Sequence, residues 1–342
     1  MRASFESLQA QAQATGFRAE ILEKVIHLLH LLEGLRSHPY LRDRLALKGG
    51  TALNLFIFDL PRLSVDIDLN YIGAADRGTM LAERPKVEEA VQAVCQREGL
   101  AVTRVPDDHA GGKWSLRYQS ALGQGGNLDL DLNFMLRVPL WPVITMDSRP
   151  LGSVRAVGIP VIDLHELAAG KLAALLSRHQ ARDLFDAHQL LLRTGLRPER
   201  LRVAFVVYGA MSRLDWRTVS AADVDFESRD LENHLVPTLP RDAAAGERTA
   251  EWGTRLVEEC RNALSIVLPF LPAELEFLDR LLDRGEIVPS LLTSDTALGD
   301  RIGRQPMLAW KAINVRQHKG LPAQQEGESG LRADADEEGI DI

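Results

Sequence analysis

Apolar residues near the amino terminus recur at the spacing of a helix and then give way to a strand-like run. Residues from about 18 to 45 place these side chains on one helical face: Ile21, Val25, Leu28, Leu29 and Leu32. The apolar stretch 45–47 predicts a short strand, and 54–58 predicts a helix that Pro61 ends. A helix, a strand and a second helix are therefore expected before residue 61.

The middle of the chain alternates polar and apolar residues, which is typical of half-buried strands. A hairpin turn over 121–126 joins the last two of three such stretches, which are 64–69, 113–119 and 127–134. A helix is predicted over 86–98 and a short strand over 158–162. Asp163 and Glu166 then have the spacing of a capping box that opens another helix.

Beyond about residue 165 the periodicity is mainly helical as far as residue 320. The predicted fold class is therefore α+β. Residues 1–160 are expected to form an N-terminal lobe with a mixed β-sheet flanked by helices, and 161–320 a mostly helical lobe that completes a cleft. Residues 321–342 are rich in glycine, glutamine and acids, and predict a disordered tail.

Composition agrees with a soluble protein of two packed lobes, since 45% of the 342 residues are apolar and 26% are charged. The net charge of −8 argues against nucleic acid, but the tail holds six of those eight charges, so the body can carry a local basic groove. Cys95 and Cys260 form no metal-binding pair and indicate a reducing compartment. With no signal pattern and no membrane-spanning run, a cytoplasmic protein is expected.

Two carboxylates on the strand at 64–69 are the leading candidates for chemistry. Residues two apart in a strand face the same way, so Asp66 and Asp68 would project side by side and repel each other unless a cation lies between them. Mg²⁺ prefers such hard oxygen ligands. A third carboxylate from the strand at 127–134 would complete a site for phosphoryl transfer, with Asp131 preferred and Asp129 second.

A glycine turn precedes these carboxylates. Gly49 and Gly50 would let the backbone approach a phosphate closely, the amides of the following helix would attract its charge, and Thr51 could add a hydroxyl contact. Taken alone, a glycine pair is usually a structural turn and a pair of aspartates is usually a solvated strand face. The order of strand, glycine turn, helix, paired aspartates and later acidic strand is far more restrictive, and it favours function.

These residues resemble the polymerase-β-type nucleotidyltransferase superfamily, and more closely its AbiEii/AbiGii toxin family, which includes the MenT-type toxins. The resemblance spans roughly residues 20 to 320, and its first two segments are the most specific. The segments are Leu47–Leu53, Arg62–Leu69, Lys171–Leu175 with Arg178, Arg182–Asp186 and Pro306–Lys311.

The resemblance implies that Asp66 and Asp68 bind Mg²⁺ or Mn²⁺, that Lys171 neutralises phosphate charge, and that Asp186 completes the last motif of the family. The nucleotide-binding residues it implies are Lys48, Gly49, Gly50, Thr51, Ser64, Lys171, Arg178 and Arg182. Asp129 is a departure, because relatives often carry another residue there, and the third metal ligand stays open between Asp129 and Asp131.

The same resemblance implies a toxin of a toxin–antitoxin or phage-defence pair, with a cognate antitoxin as a possible partner. It would transfer a nucleoside monophosphate from a nucleoside triphosphate to RNA, with tRNA the expected acceptor, and release pyrophosphate. Three alternatives stay open: transfer to a small molecule such as an antibiotic, transfer to a protein hydroxyl, and a catalytically silent binding protein.

Two charged segments allow both a functional and a structural interpretation. As one helix, 171–186 would align Lys171, Arg178, Arg182 and Asp186 on one stripe beside a phosphate, whereas a break near Gln180 would split it in two. The segment 301–320 carries five bases and no acid around Trp310, which fits either an RNA-binding surface or exposed charges over a core tryptophan. His165, His179 and His188 lack partners at metal-ligand spacing and are expected to be ordinary helix residues.

Overall fold

The computed structural model describes residues 4–106, 110–243 and 249–322. Its first half is built around a mixed β-sheet. Its seven strands lie in the order β3-β4-β5-β2-β1-β7-β6, with β2 antiparallel to β1 and parallel to β5. The strands are β1 (Leu45–Lys48), β2 (Asp66–Tyr71), β3 (Ala101–Arg104), β4 (Gly111–Gln119), β5 (Gly125–Asn133), β6 (Ile144–Met146) and β7 (Ile159–Val161).

Helices flank this sheet and make up most of the chain after β7. Those of the first half are α1 (Phe5–Thr15), α2 (Ala19–Ser37), α3 (Gly49–Ala52), which continues into a π-helical turn (Leu53–Ile57), and α4 (Arg77–Arg97). Those of the second half are α5 (Leu164–Arg178), α6 (Ala181–Arg193), α7 (Pro198–Met211), the short α8 (Ser228–Asp230), α9 (Thr249–Ala263), α10 (Pro272–Arg284), α11 (Thr296–Gly303) and α12 (Pro306–Lys319).

The two faces of the sheet differ because polar and apolar residues alternate along its central strands. Ile67 and Leu69 of β2 and Leu130 of β5 are buried, on the side where α2 and α4 pack. The intervening aspartates of β2 and β5 lie on the opposite face and keep part of their surface in solvent. The alternation predicted from the sequence is confirmed, and it leaves one polar face of the sheet partly uncovered.

The helical half packs against the first half through α5, which contacts α3 as well as α6 and α7. The predicted α+β class is thus confirmed, and buried residues of the sheet and of α5 belong to one continuous core. The division into lobes at residue 160 stays a prediction. The disordered tail predicted for 321–342 lies outside the described residues from residue 323 onwards. Within the described residues, no helix is long and apolar enough to cross a membrane.

Several element boundaries differ from the predictions. α4 begins at Arg77, well before residue 86, because the Asp76 side chain accepts hydrogen bonds from the backbone amides of Gly78 and Thr79 and the helix continues through Pro85. The glycine pair does not form a turn before a helix. Gly49 and Gly50 are themselves the first residues of α3.

The helix predicted as a possible single unit over 171–186 is two helices. It breaks at His179, whose backbone is left-handed with φ 55°, and α6 starts after Gln180. The predicted capping box is correct for Asp163 but wrong for Glu166. Asp163 does accept the amide of His165 at 2.9 Å, but the Glu166 carboxylate instead accepts the amides of Leu140 and Trp141.

Candidate active site

Four carboxylates lie in two rows on the polar face of the sheet. The parallel pairing of β2 with β5 sets Asp66 opposite Asp129 and Asp68 opposite Asp131. Because paired residues in neighbouring strands point to the same side, the register brings the two predicted acidic strands together. Within the described residues, no three acidic, histidine or cysteine side chains are already gathered as a metal site.

The electrostatics of these rows leave negative charge without enough cations. Burial raises the pKa of Asp66, and the neighbouring Asp68 raises it further, against the opposing charge of Arg182. Burial also raises the pKa of Asp131, which Lys48 opposes and Asp68 reinforces. Raised carboxylate pKa values mean that the ionised groups are poorly stabilised by the protein alone. The donor set, hard oxygens in excess of nearby positive charge, fits a divalent cation.

The two candidates for the third ligand have different neighbours. Asp129 has the Lys113 ammonium 3.5 Å from its carboxylate, whereas Asp131 forms no ion pair among the described residues. Asp131 also lies beside Asp68, the aspartate nearer to the start of α3. These contacts favour Asp131, and the choice between the two stays a prediction.

The start of α3 lies against this carboxylate row. Gly49 has φ 71°, and a side chain there would collide with the Asp68 carboxylate, so both the conformation and the space require glycine. A Cβ atom on Gly50 would lie 2.9 Å from Nη2 of Arg62 and 3.0 Å from Oγ of Ser64. The predicted glycines and Ser64 therefore lie together, next to the paired aspartates.

Thr51 has a different contact from the one predicted. Its side chain is fully buried, and its hydroxyl donates a hydrogen bond to the backbone carbonyl of Asp66. In this structure the hydroxyl therefore holds the first residue of β2 in place, and it does not face an open site. Any contact of Thr51 with a phosphate would come from its backbone.

Asp186 is buried behind the start of α3 and is held by three groups. The Arg62 guanidinium donates from Nε to Oδ1 at 2.8 Å and from Nη2 to Oδ2 at 2.6 Å. The Asn54 amide donates to Oδ1 at 2.9 Å and also to the carbonyl of Gly50 at 2.9 Å. Burial alone would raise the pKa of Asp186, but the charges of Arg62 and Lys171 and these hydrogen bonds hold it at about 2.

Lys171 joins the same cluster. Its ammonium lies 2.7 Å from Asp183 and 3.2 Å from Asp186, and only 11% of the side chain is exposed. Burial opposes its charge, but Asp183 and Asp186 together raise the pKa of Lys171. We call Arg62, Lys171, Asp183 and Asp186 the buried ion cluster. The cluster holds two positive and two negative charges, and the Lys171 ammonium is paired with the carboxylates of Asp183 and Asp186.

The remaining predicted cations lie at the rim of the cluster. Arg178 is about half exposed and donates to Asp183 at 3.0 Å. Arg182, one third exposed, places Nη1 3.7 Å from Oδ2 of Asp66 and so links α6 to the carboxylate strand. The two helices therefore bring Lys171, Arg178, Arg182 and Asp186 to one region although they are not one helix.

Four residues that touch this region were not among the predicted site residues: Arg62, Asn54, Lys113 and Asp183. Arg62 lies inside a segment that carried the resemblance, and Asn54 is a polar residue in an apolar run. Arg62 and Asn54 are buried and so need polar partners, which is the signal that could have identified these two. Lys113 faces Asp131 across the hairpin, as its strand register requires.

The basic segment 301–320 is mostly committed to structural contacts. Lys311 donates to the carbonyl of Ser212, Arg316 to that of Gly285 and Arg301 to that of Leu140. Arg304 and Lys319 pair with Asp300 and Asp283. Trp310 is 42% exposed, so it is not a core residue. These contacts favour the structural interpretation of the five bases.

The histidines predicted to be ordinary have ordinary partners where the structure shows them. Nδ1 of His165 lies 2.9 Å from Asp163, and its Nε2 accepts the backbone amide of Arg197. His188 pairs with Glu259. Both cysteines are buried and free.

Comparison with known proteins gives one family and a related fold. Residues 30–258 match the model of the family described as nucleotidyl transferase AbiEii toxin, type IV TA system. Among solved structures, MenT4, a nucleotidyltransferase toxin from Mycobacterium tuberculosis H37Rv, is similar with a TM-score of 0.59 and 17% sequence identity. The match covers 86% of this chain and 98% of that one. A search of the curated proteins found no match.

Proposed function

The chain belongs to the AbiEii nucleotidyltransferase toxin family of type IV toxin–antitoxin systems, and we propose that it transfers a nucleoside monophosphate from a nucleoside triphosphate to RNA, with tRNA as the expected acceptor. The acceptor hydroxyl would attack the α-phosphate, forming the new phosphodiester bond and expelling pyrophosphate. The observation that carries the proposal is the row of in-register carboxylates beside the glycine start of α3.

Asp66, Asp68 and Asp131 would hold the divalent cation, Mg²⁺ or Mn²⁺. When bound, that cation neutralises phosphate charge and favours ionisation of the attacking hydroxyl. Support comes from the raised pKa values of Asp66 and Asp131, because a nearby cation would stabilise the ionised carboxylates and lower these pKa values.

The start of α3 would bind the triphosphate. Free backbone amides at a helix start attract phosphate, and the absence of side chains on Gly49 and Gly50 allows close approach. Lys48 directly precedes this backbone in the chain, and Ser64 lies against Gly50 in space. Arg182 reaches Asp66 from α6, and Arg178 of α5 pairs with Asp183 of the buried ion cluster. These residues would orient the phosphates and balance their charge, which is how most phosphoryl-transfer enzymes lower the barrier.

The buried ion cluster would act indirectly, by holding the start of α3 in place without touching the nucleotide. Asp186 is fully buried and bonded to Arg62 and Asn54, so it cannot touch a nucleotide without losing these partners. Through Asn54 and the Gly50 carbonyl it fixes the helix start against α6. Lys171 and Asp186 are therefore proposed as positioning residues, with Lys171 the nearer of the two to solvent.

The family also implies an antitoxin as a partner of this enzyme. Nothing in the site distinguishes one nucleobase from another, so the experiment tests each triphosphate separately. The protein is incubated with each labelled nucleoside triphosphate, Mg²⁺ and total bacterial RNA, and the products are separated by size. Label in a tRNA-sized band is expected for wild type.

Asp68→Asn should lose this labelling, because the charge that holds the cation is removed. Removing one such electrostatic group lowers rates by about 10²–10³-fold. The matched control is Asp43→Asn, an exposed aspartate that, among the described residues, pairs only with Arg42. Normal labelling by Asp68→Asn would refute the proposal, and label found only on protein would replace RNA by a protein acceptor.

A further inference from the structure

An open, positively charged surface continues from the carboxylate rows towards the edge of the sheet. Along β4, Trp114, Leu116 and Tyr118 are buried, while Lys113, Arg117 and Gln119 are exposed. We call the polar face of β3 and β4 the edge face. Its side chains are Arg104, Lys113, Ser115, Arg117 and Gln119.

The strand register joins the edge face to the candidate active site. Lys113 is paired with Asp131 and Ser115 with Asp129, so the face begins at the carboxylates. Arg117 is four residues further along the same side of β4, or about 13 Å at the rise of an antiparallel strand. Arg104 of β3 lies opposite Ser115, one strand further from the site. Three cations therefore lead away from the proposed position of transfer.

The two arginines of the edge face are available for a ligand, whereas Lys113 already pairs with Asp129. Among the described residues, neither Arg104 nor Arg117 forms an ion pair, and both are exposed. Gly125 on β5 contributes space, because a Cβ atom there would lie 3.1 Å from Nε of Arg117. The arginine side chain thus lies over the glycine backbone. The contrast with 301–320 is clear, since the bases of that segment already have partners.

We propose that the edge face binds the phosphate backbone of a single-stranded RNA end and directs its terminal hydroxyl to the carboxylate rows. The inference rests on the proposed function and adds the path of the acceptor. The side chains of the edge face carry basic, hydroxyl or amide groups, and none of them is an aromatic ring on which a base could stack. Phosphate contacts position a nucleic acid without reading its sequence. Binding through this face should therefore be strongly salt-dependent and tolerant of sequence.

The test measures binding without transfer. A fluorescein-labelled oligouridylate of about 12 nucleotides, within the range that single-strand sites cover, is titrated with the full-length protein in EDTA and without nucleotide. The double variant Arg104→Gln/Arg117→Gln should bind roughly tenfold more weakly at moderate salt. The slope of log affinity against log salt should fall by about 1.4, since each phosphate contact on a single strand contributes about 0.7.

The matched control is Arg42→Gln/Arg304→Gln, which removes the same charge from two exposed arginines elsewhere. It should bind the probe like wild type, and Arg104→Lys/Arg117→Lys should retain most of the affinity. Unchanged affinity and salt slope in the Arg104→Gln/Arg117→Gln variant would overturn the inference, and so would failure of the wild type to bind the probe.

Transfer assays on the same proteins separate the two proposals. Asp68→Asn should bind the probe normally while transferring nothing. If wild type binds through the edge face but transfers no nucleotide to any RNA, the proposed function fails and the binding surface stands. If transfer to RNA is normal in the Arg104→Gln/Arg117→Gln variant, the acceptor takes another path and the surface is refuted.

Discussion

The carboxylate rows and the buried ion cluster use the same residue types in opposite ways. In the cluster, Asp186 has no exposure and two cations within hydrogen-bonding distance, which hold its pKa at about 2. In the rows, burial and mutual repulsion raise the pKa of Asp66 and Asp131. One group is satisfied by the chain itself. The other would be stabilised fully only by a positive charge from outside, and the proposed roles, positioning for the first group and ligand binding for the second, rest on this difference.

The largest effect is expected from breaking the cluster. Arg62→Met leaves Asp186 buried without its main partner, which typically costs about 3–5 kcal/mol of unfolding free energy. Urea unfolding followed by circular dichroism measures it, with Arg42→Met as an exposed control expected to change little. Equal stability of Arg62→Met and wild type would show that the cluster does not hold the site together.

Adding a divalent cation should stabilise the carboxylate rows, whereas the buried ion cluster already has its own cations. A ligand that binds only the folded state stabilises it by about 2.7 kcal/mol at a concentration of 100 times its dissociation constant. Mn²⁺ should therefore raise the unfolding temperature of wild type, and Asp66→Asn should abolish this rise while leaving the metal-free protein at least as stable. An equal rise in both proteins would place the cation elsewhere.

Acidification should weaken the cluster. The pKa of Asp186 is lowered by folding from 3.8 to about 2, so its contribution is fully present above pH 4 and is lost as pH falls towards 2. A shift of this size corresponds to about 2 kcal/mol. The difference in unfolding free energy between wild type and Asp186→Asn should shrink as the pH falls from 4 towards 2, and a constant difference would contradict the lowered pKa.

The smallest effect concerns the support of β2. Thr51→Val keeps the side-chain shape but removes the hydrogen bond to the Asp66 carbonyl, at a cost of about 1 kcal/mol. Because the hydroxyl holds the backbone of Asp66, a proposed metal ligand, the Mn²⁺ affinity should fall when it is removed. Thr254→Val is a control, since that hydroxyl bonds only within its own helix. Unchanged Mn²⁺ affinity in Thr51→Val would mean that Asp66 does not need this contact.

Local patterns predicted much of the sheet. Alternation alone placed Asp66 with Asp68 and Asp129 with Asp131, because the side-chain period of a strand is fixed. The pairing of β2 with β5 could not be read from alternation, since it joins segments about sixty residues apart and register depends on long-range packing. The aspartate that faces Asp68 therefore had to stay open between two candidates.

The buried ion cluster was less accessible to sequence reasoning. Arg62 and Asp186 are 124 residues apart, and no local sequence pattern around either residue indicates that the two are paired. A break near Gln180 was one of two alternatives, and the structure places it at His179, where a left-handed backbone has no glycine to mark it. Thr51 was given a ligand contact because its neighbours suggested one, but its hydroxyl is used within the chain.

The separation between Arg62 and Asp186 also bears on how the protein is made. Synthesis proceeds from the amino terminus, and a growing chain exposes Arg62, Asp66 and Asp68 long before α6 exists. Until Asp186 has emerged, Arg62 has no buried partner and Asn54 cannot tie the helix start to α6. A chain that ends before α6 is therefore expected to lack the contacts that hold the start of α3, and with them the proposed transferase activity.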